Sequence, residues 1–177
     1  MALENLERPR GASFFCLLAF QSEDTFFEVK SITEKRFSEV LYESNNLPKY
    51  TPDPFEREIA FPSRFSKVLS YKQRIHREEL VQKKKEAVEI QIQLQKKDPS
   101  LLIVPGYVTS HNIVLAKSKD DFHRIYLYQG VYGEIVYKFI EGRLVPTEEA
   151  PPFFREREVL YFFSTLRESY ELNKFKS

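Results

Sequence analysis

The sequence predicts an α+β domain in which a curled antiparallel sheet of about four to six strands packs against two or three helices. Apolar and polar residues alternate without a break over residues 88–95, and residues 121–128 and 132–140 are rich in Tyr, Phe, Ile and Val. Successive strand side chains point to opposite faces, so this alternation is typical of a strand with one buried face. The turn sequences at 129–130 and 141–142 are short, and strands joined by short turns pair antiparallel.

The composition fits one globular domain. The chain has 177 residues, of which 42% are hydrophobic and 30% charged, and its formal net charge is +1. A charge this close to zero does not indicate whole-molecule attraction to nucleic acid or to an anionic membrane. Cys16 is the one cysteine, which excludes a disulfide within the chain and the multi-cysteine zinc patterns. No apolar run approaches the roughly 20 residues of a membrane-spanning helix, so no transmembrane segment is predicted.

Residues 12–20 form an apolar run that has two interpretations. The run has the length of the apolar core of a secretory signal, in which case residues 1–22 are removed and a single α+β domain remains over 23–177. It also fits a buried strand. Residues 4–10 carry acidic as well as basic side chains and so lack the positive charge of a signal. This mixture favours the cytoplasm over export, although both localisations stay open.

Capping and proline signals divide the next part of the chain. The patterns at residues 25–28 and 31–34 match a capping box, and either one predicts a helix that ends near residues 44–46. Three prolines then predict an extended arm over residues 45–62. Residues 63–86 predict a second helix, which is strongly basic and has a thin apolar stripe.

The remaining elements are predicted from apolar runs and turn residues. Residues 101–108 are strongly apolar and contain Pro105 and Gly106, so they predict either a short hairpin or a buried strand that enters a loop. The last predicted elements are a strand over 110–117, a linker over 146–152 and a helix over about 153–172.

Basic side chains on the predicted helix over residues 63–86 define a candidate surface. Its residues are Lys67, Lys72, Arg74, Arg77, Lys83, Lys84 and Lys85. One interpretation is a face for phosphate backbones or another acidic partner. The other is a solvated helix that packs by a narrow edge. No aromatic residues stand between the lysines for base stacking, which favours the solvated helix.

The sequence carries little catalytic chemistry. It has no phosphate-binding glycine loop and no nucleophile elbow. His76 and Glu79 have a spacing at which two side chains can share a metal, but an exposed pair on a charged helix is the favoured interpretation, so neither a catalytic residue nor a cofactor is predicted. The candidate pocket residues are two histidines and two tyrosines on the predicted sheet: His111, His123, Tyr126 and Tyr137. His123 lies two residues from Asp121, and a histidine beside a carboxylate is a candidate acid or base. An exposed histidine without a role is the alternative.

The order of the predicted elements resembles the general layout of cystatin-like and NTF2-like cones, in which helices fill the concave side of a bent sheet. The resemblance is one of architecture, and it implies no function because such folds include both enzymes and binding proteins.

Three functions are compatible with these observations. The favoured one is a non-catalytic module that binds a protein or a small ligand, and that is exported if residues 12–20 belong to a signal. The second is a module associated with nucleic acid through the basic helix. The third is a small cone-fold enzyme with a histidine in its pocket. The scarcity of catalytic motifs makes an enzyme the less favoured class.

Overall fold

A computed structural model of the chain describes residues 4–50 and 63–173. Within these residues the chain forms an antiparallel sheet of eight strands and three α-helices, which confirms the α+β class. The sheet has more strands than the four to six predicted. The strands are β1 (Ser13–Phe20), β2 (Val40–Glu43), β3 (Phe65–Tyr71), β4 (Leu102–Val108), β5 (Asn112–Lys117), β6 (Ile125–Tyr128), β7 (Val131–Ile140) and β8 (Arg143–Pro146). The helices are α1 (Glu23–Arg36), α2 (Leu80–Leu94) and α3 (Arg157–Leu172).

The sheet has the strand order β2-β3-β1-β4-β5-β7-β6. Strand β1 lies inside the sheet and pairs antiparallel with β3 on one side and with β4 on the other. Strand β7 is long enough to pair with β5 along one side, and with β6 and then β8 along the other. The β6–β8 edge is therefore far from β3 in the sheet, so residues at these two ends of the sheet belong to separate surfaces.

Strand β1 is buried on both faces of the sheet, which explains its unbroken apolar sequence. Phe15 and Leu17 belong to the core on one face. Cys16 and Leu18 belong to the core on the other face. A strand that is covered on both sides is apolar at every position and shows no alternation. Of the two interpretations of residues 12–20, the structure shows the buried strand, and a cleaved signal is not supported because cleavage would remove an inner strand of the sheet.

Helices cover both faces of the sheet. Helix α3 packs Phe163 and Leu166 into the first core. Helices α1 and α2 pack Phe26 and Ile90 into the second. A cone has its helices on the concave side alone, whereas the described residues form three layers, helix–sheet–helix. None of these helices combines the length and the apolarity needed to cross a bilayer.

The strand predicted over residues 88–95 is wrong, because these residues lie in α2. The buried residues of α2 are Leu80, Ala87, Ile90 and Leu94, whose spacings of seven, three and four define one helical face. The alternating pattern arises because Ile92, which is 60% exposed, continues the apolar series on the solvent side. Periodicity over eight residues did not separate a strand from a helix that carries one exposed apolar residue.

The helix predicted over residues 63–86 is also wrong over its first half. Residues Phe65–Tyr71 form strand β3, and α2 begins only at Leu80, after a short 3₁₀ helix at Arg77–Glu79. Ser66 and Ser70 are polar but buried in this strand. Ser66 Oγ accepts a hydrogen bond from the backbone N–H of Tyr50 (2.9 Å), so its burial is compensated.

The first predicted helix needs corrected boundaries, and the structure decides between the two alternatives for residues 101–108. Helix α1 begins about one turn before the first of the two predicted capping boxes, because the hydroxyl of Ser22 accepts a hydrogen bond from the backbone N–H of Thr25 (3.3 Å). It ends at Arg36, and β2 follows where the prediction continued the helix. Strand β4 passes through Pro105 and Gly106 without a turn. The arm predicted over 45–62 lies mostly outside the described residues.

The two hairpin turns of the predicted sheet are confirmed. Gln129 and Gly130 have φ of 48° and 80°, and Glu141 and Gly142 have φ of 50° and 80°. Positive φ at both central residues matches the right-handed twist of the flanking strands, which is why such turns connect tight hairpins. The strands around them, β6, β7 and β8, are antiparallel as predicted.

Candidate functional site

Three charged side chains are buried in the sheet near its β6–β8 edge. Lys117, Arg124 and Glu134 are exposed by only 2%, 8% and 1%. Glu134 lies directly opposite Leu115, a core residue on the α3 face, so its side chain points to that face. Burying a charge is costly unless other groups compensate it, and buried ionisable groups therefore mark candidate functional sites.

Glu134 is the centre of a group of ionisable side chains that we call the Glu134 cluster: Asp121, His123, Arg124 and Glu134. The Oε1 atom of Glu134 accepts a hydrogen bond from Arg124 Nε (3.2 Å) and contacts His123 Nε2. His123 Nδ1 is 3.8 Å from Asp121 Oδ2. Arg124 Nη1 also donates to the backbone carbonyl of Lys119 (3.0 Å).

A local turn places His123 and Arg124 beside β7. The backbone N–H of Phe122 donates to Asp121 Oδ1 (2.8 Å), and that of Arg124 donates to the Asp121 carbonyl (3.1 Å). An aspartate that caps its own turn in this way is a common device for reversing the chain. The turn therefore brings His123 and Arg124 next to Glu134, although about ten residues separate them in the sequence.

Lys117 lies on the same face of the sheet as Glu134. Its Nζ donates a hydrogen bond to the Tyr50 hydroxyl (3.0 Å), and the Tyr50 ring packs edge-on against Phe153 (5.3 Å between centroids). Tyr50 is itself buried. The α3 face near this edge thus carries an ammonium, a guanidinium, an imidazole, a phenol and a carboxylate within a largely apolar surrounding.

Two buried atoms of the cluster have no hydrogen-bond partner among residues 4–50 and 63–173. They are Oε2 of Glu134 and Nδ1 of His123. If the imidazole is neutral and donates its Nε2–H to Glu134, then Nδ1 is an acceptor, as is the carboxylate oxygen. Buried acceptors that lack a donor call for an explanation such as a bound ligand or an ordered water.

Of the four predicted pocket residues, the structure brings only His123 into this cluster. Tyr126 is exposed on β6 and its ring contacts that of Tyr132 (5.2 Å). Tyr137 is a core residue whose hydroxyl donates to the Phe154 carbonyl (2.5 Å), and burial raises its pKa. His111 is exposed in the turn between β4 and β5. These residues therefore do not form a shared pocket.

Four residues of this region are not predicted from the sequence: Tyr50, Lys117, Arg124 and Glu134. One signal was available: Glu134 is two residues from the buried Val136 in the same predicted strand, and so stands in phase with a core position. A charged residue at a core position of a strand predicts either a partner or a function. The side chains that contact Glu134 come from other segments, so the sequence of the strand does not predict them.

The seven candidate basic residues do not form one helical face. Lys67 is on β3, where its Nζ is 3.5 Å from Glu43 Oε2 and 4.4 Å from the centroid of the Phe26 ring. Lys72 and Arg74 follow β3, Arg77 is in the 3₁₀ helix, and Lys83, Lys84 and Lys85 are on α2. The Lys85 ammonium donates to the side chain of Gln129 at the far hairpin (2.8 Å). The surface predicted from a continuous helix is therefore dispersed.

Cys16 is not a candidate nucleophile. It is fully buried on β1, and burial raises the pKa of its thiol to about 12. We expect thiol reagents to modify the native protein at pH 8 at least about a thousandfold more slowly than the unfolded chain, because only the thiolate reacts and its fraction falls tenfold per pKa unit. Labelling with a chromogenic disulfide, with and without guanidinium, measures this ratio. Comparable rates in the two conditions would contradict it.

The fold and the site define a three-layer α+β domain with a buried ionisable cluster near one edge of its sheet. A family model described as a domain of unknown function (DUF4416) matches residues 10–170. The match runs from just before β1 into the last turns of α3, and the chain belongs to this family. No curated protein and no solved structure matches the chain.

Proposed function

We propose that this chain is a ligand-binding module whose binding site is the Glu134 cluster. The observation that carries the proposal is the Glu134 carboxylate, which is 1% exposed, meets two side-chain nitrogens at Oε1 and has no hydrogen-bond partner at Oε2 within the described residues. A purely structural buried ion pair needs its remaining lone pairs satisfied. An open acceptor at this depth supports a site that a ligand completes.

The chemistry of the open atoms indicates the class of ligand. Glu134 Oε2 is an acceptor, and His123 Nδ1 is an acceptor in the neutral imidazole that donates from Nε2. A ligand that completes the cluster therefore supplies O–H or N–H donors, as polyols, primary amines and nucleosides do. A site of this kind rejects analogues that lack the donor, because the buried acceptor then stays unsatisfied.

Paired probes test the proposal. We expect at least one of a hexose, ethanolamine and a nucleoside at millimolar concentration to shift the ¹⁵N signals of the His123 ring, while its O- or N-methylated counterpart, which has lost the donors, does not. In the His123→Asn variant, which has no imidazole signal, binding of the same probe measured by calorimetry should weaken at least about tenfold. The matched control is His111→Asn, because His111 is exposed in the β4–β5 turn. Binding that survives in His123→Asn, or that is equal for the methylated probes, would contradict the proposal.

A small enzyme is the second candidate, and the contact of His123 with Glu134 favours it. A carboxylate on one imidazole nitrogen fixes the orientation of the ring, which is how a general base is positioned. Asp121 Oδ2 lies 3.8 Å from His123 Nδ1, and its carboxylate could accept a proton from that nitrogen. The two candidates differ in one result: a bound probe is recovered unchanged from a binding module and is converted by an enzyme.

A further inference from the structure

A second candidate site lies toward the β2–β3 end of the sheet, in a groove between the end of β3 and the last turns of α3. The groove has a volume of about 580 Å³. We call it the Arg74 groove and define it by Tyr42, Lys72, Gln73, Arg74, Ser169 and Tyr170. Ligand pockets for small molecules are commonly 300–1,000 Å³, so the size is suitable. The groove shares no residue with the Glu134 cluster.

The charged side chains that line the groove are both cationic, and the other polar side chains are neutral. Lys72 and Arg74 are cationic, and Gln73 and Asn173 carry amide donors. Among the described residues that line the groove, none is Asp or Glu. Lys72 is 3.5 Å from Glu39, but both side chains are more than two-thirds exposed, and such surface pairs exchange readily with other partners. The charge of the groove is therefore complementary to an anion.

Arg74 is held in a defined orientation. Its Cζ lies 4.7 Å from the centroid of the Tyr170 ring, and its Nη2 donates to the Tyr170 carbonyl (3.2 Å). Within the described residues no carboxylate pairs with this guanidinium. A guanidinium fixed by stacking keeps N–H donors free in the planar arrangement that matches a phosphate or a carboxylate.

The remaining wall of the groove is apolar or neutral. Leu41 and Leu166 line it, as do Tyr42 and Ser169, whose hydroxyls are hydrogen-bonded to each other (3.0 Å). These groups would pack against an organic body better than against an isolated ion. We infer that the Arg74 groove binds a small organic molecule that bears an oxyanion, a phosphate or a carboxylate, with the oxyanion on Arg74 and Lys72.

In this inference, two residues of the predicted basic surface, Lys72 and Arg74, bind the oxyanion. It does not depend on the function proposed for the Glu134 cluster, because the two sites are built on different strands. A variant of Glu134 or His123 should therefore leave binding in the groove unchanged, and a variant of Arg74 should leave the ¹⁵N signals of His123 unchanged.

Calorimetry and amide chemical shifts test the inference with four probes: phenyl phosphate, benzoate, inorganic phosphate and the neutral benzyl alcohol. We expect saturable binding of phenyl phosphate or benzoate, weaker binding of inorganic phosphate and none of benzyl alcohol. Arg74→Gln should weaken the binding at least about tenfold, because a charge-assisted hydrogen bond and a charge are lost. Arg64→Gln is the matched control, since Arg64 lies at the other end of β3 and also lies against a ring, that of Phe65.

A Lys72→Gln variant keeps the test decisive if Arg74→Gln does not fold, because Lys72 is exposed and its change should weaken binding about threefold. The inference is overturned if no oxyanion binds saturably at low salt, or if Arg74→Gln and Arg64→Gln weaken binding equally. If inorganic phosphate binds as tightly as phenyl phosphate, the inference that the groove recognises the organic part of the ligand is wrong. A single-stranded DNA that binds more tightly than phenyl phosphate, with a steep salt dependence, would overturn the small ligand in favour of nucleic acid.

Discussion

Replacing Gly106 with alanine is expected to lower the free energy of unfolding by about 3 kcal/mol or more, the upper end of the usual cost of overpacking. A Cβ at this position would lie 2.5 Å from Cζ of Phe15 and 2.5 Å from the backbone oxygen of Val114. Neither group can retreat, because Phe15 is fully buried in the core and Val114 belongs to the neighbouring strand β5. Urea denaturation monitored by circular dichroism measures the change.

Gly133→Ala is the matched control for this substitution. Gly133 is also a sheet glycine, on β7, but a Cβ there would meet its nearest atoms at 3.5–3.6 Å, which is ordinary contact. We expect its stability to stay within about 1 kcal/mol of the wild type, since alanine in a compatible conformation also restricts the unfolded chain. Equal losses of stability for the two variants would contradict the clash at Gly106 as the cause of its loss.

The elements that the sequence predicts correctly are those whose signals are local. The turns at Gly130 and Gly142 require positive φ, which glycine adopts freely, and strands β7 and β5 carry the residue types that suit a sheet. The predictions for β3 and for the second half of α2 are wrong because tertiary contacts decide these elements. Pairing with β1 makes residues Phe65–Tyr71 a strand despite their charged neighbours, and α2 tolerates an exposed Ile92 because its other face is buried.

The candidate site is predictable only in part for a related reason. His123 is conspicuous in the sequence because the chain has three histidines, and its neighbour Asp121 is local. Glu134 and Lys117 become site residues only when β5 and β7 pair and turn both side chains to the α3 face. The register of strands fixes which charges meet, and register depends on the whole sheet. A charged residue in phase with the core positions of a strand indicates a candidate site, although the sequence does not identify the side chain that pairs with it.

The Glu134→Leu variant is expected to lose about 3 kcal/mol of stability, because the Arg124 guanidinium, whose side chain is 2% exposed, loses its carboxylate. The effect is specific if Arg124→Met costs a similar amount and the double variant costs much less than the sum. A double-mutant cycle in urea denaturation gives the interaction energy, which we expect to exceed about 1.5 kcal/mol. The control cycle uses the exposed pair Lys72 and Glu39, where the interaction energy should stay below about 0.5 kcal/mol.

The double variant also separates two reasons for burying charges at this position. Replacing a whole buried ion pair with apolar residues of similar size is often neutral or stabilising, whereas removing one partner is not. If Arg124→Met with Glu134→Leu folds with a stability near that of the wild type, the pair is not needed for stability, and retention of two costly charges is then better explained by a ligand that uses Glu134. A double variant that is less stable than either single variant would show instead that the cluster holds the β6–β7 edge together, and the binding proposal would lose its main support.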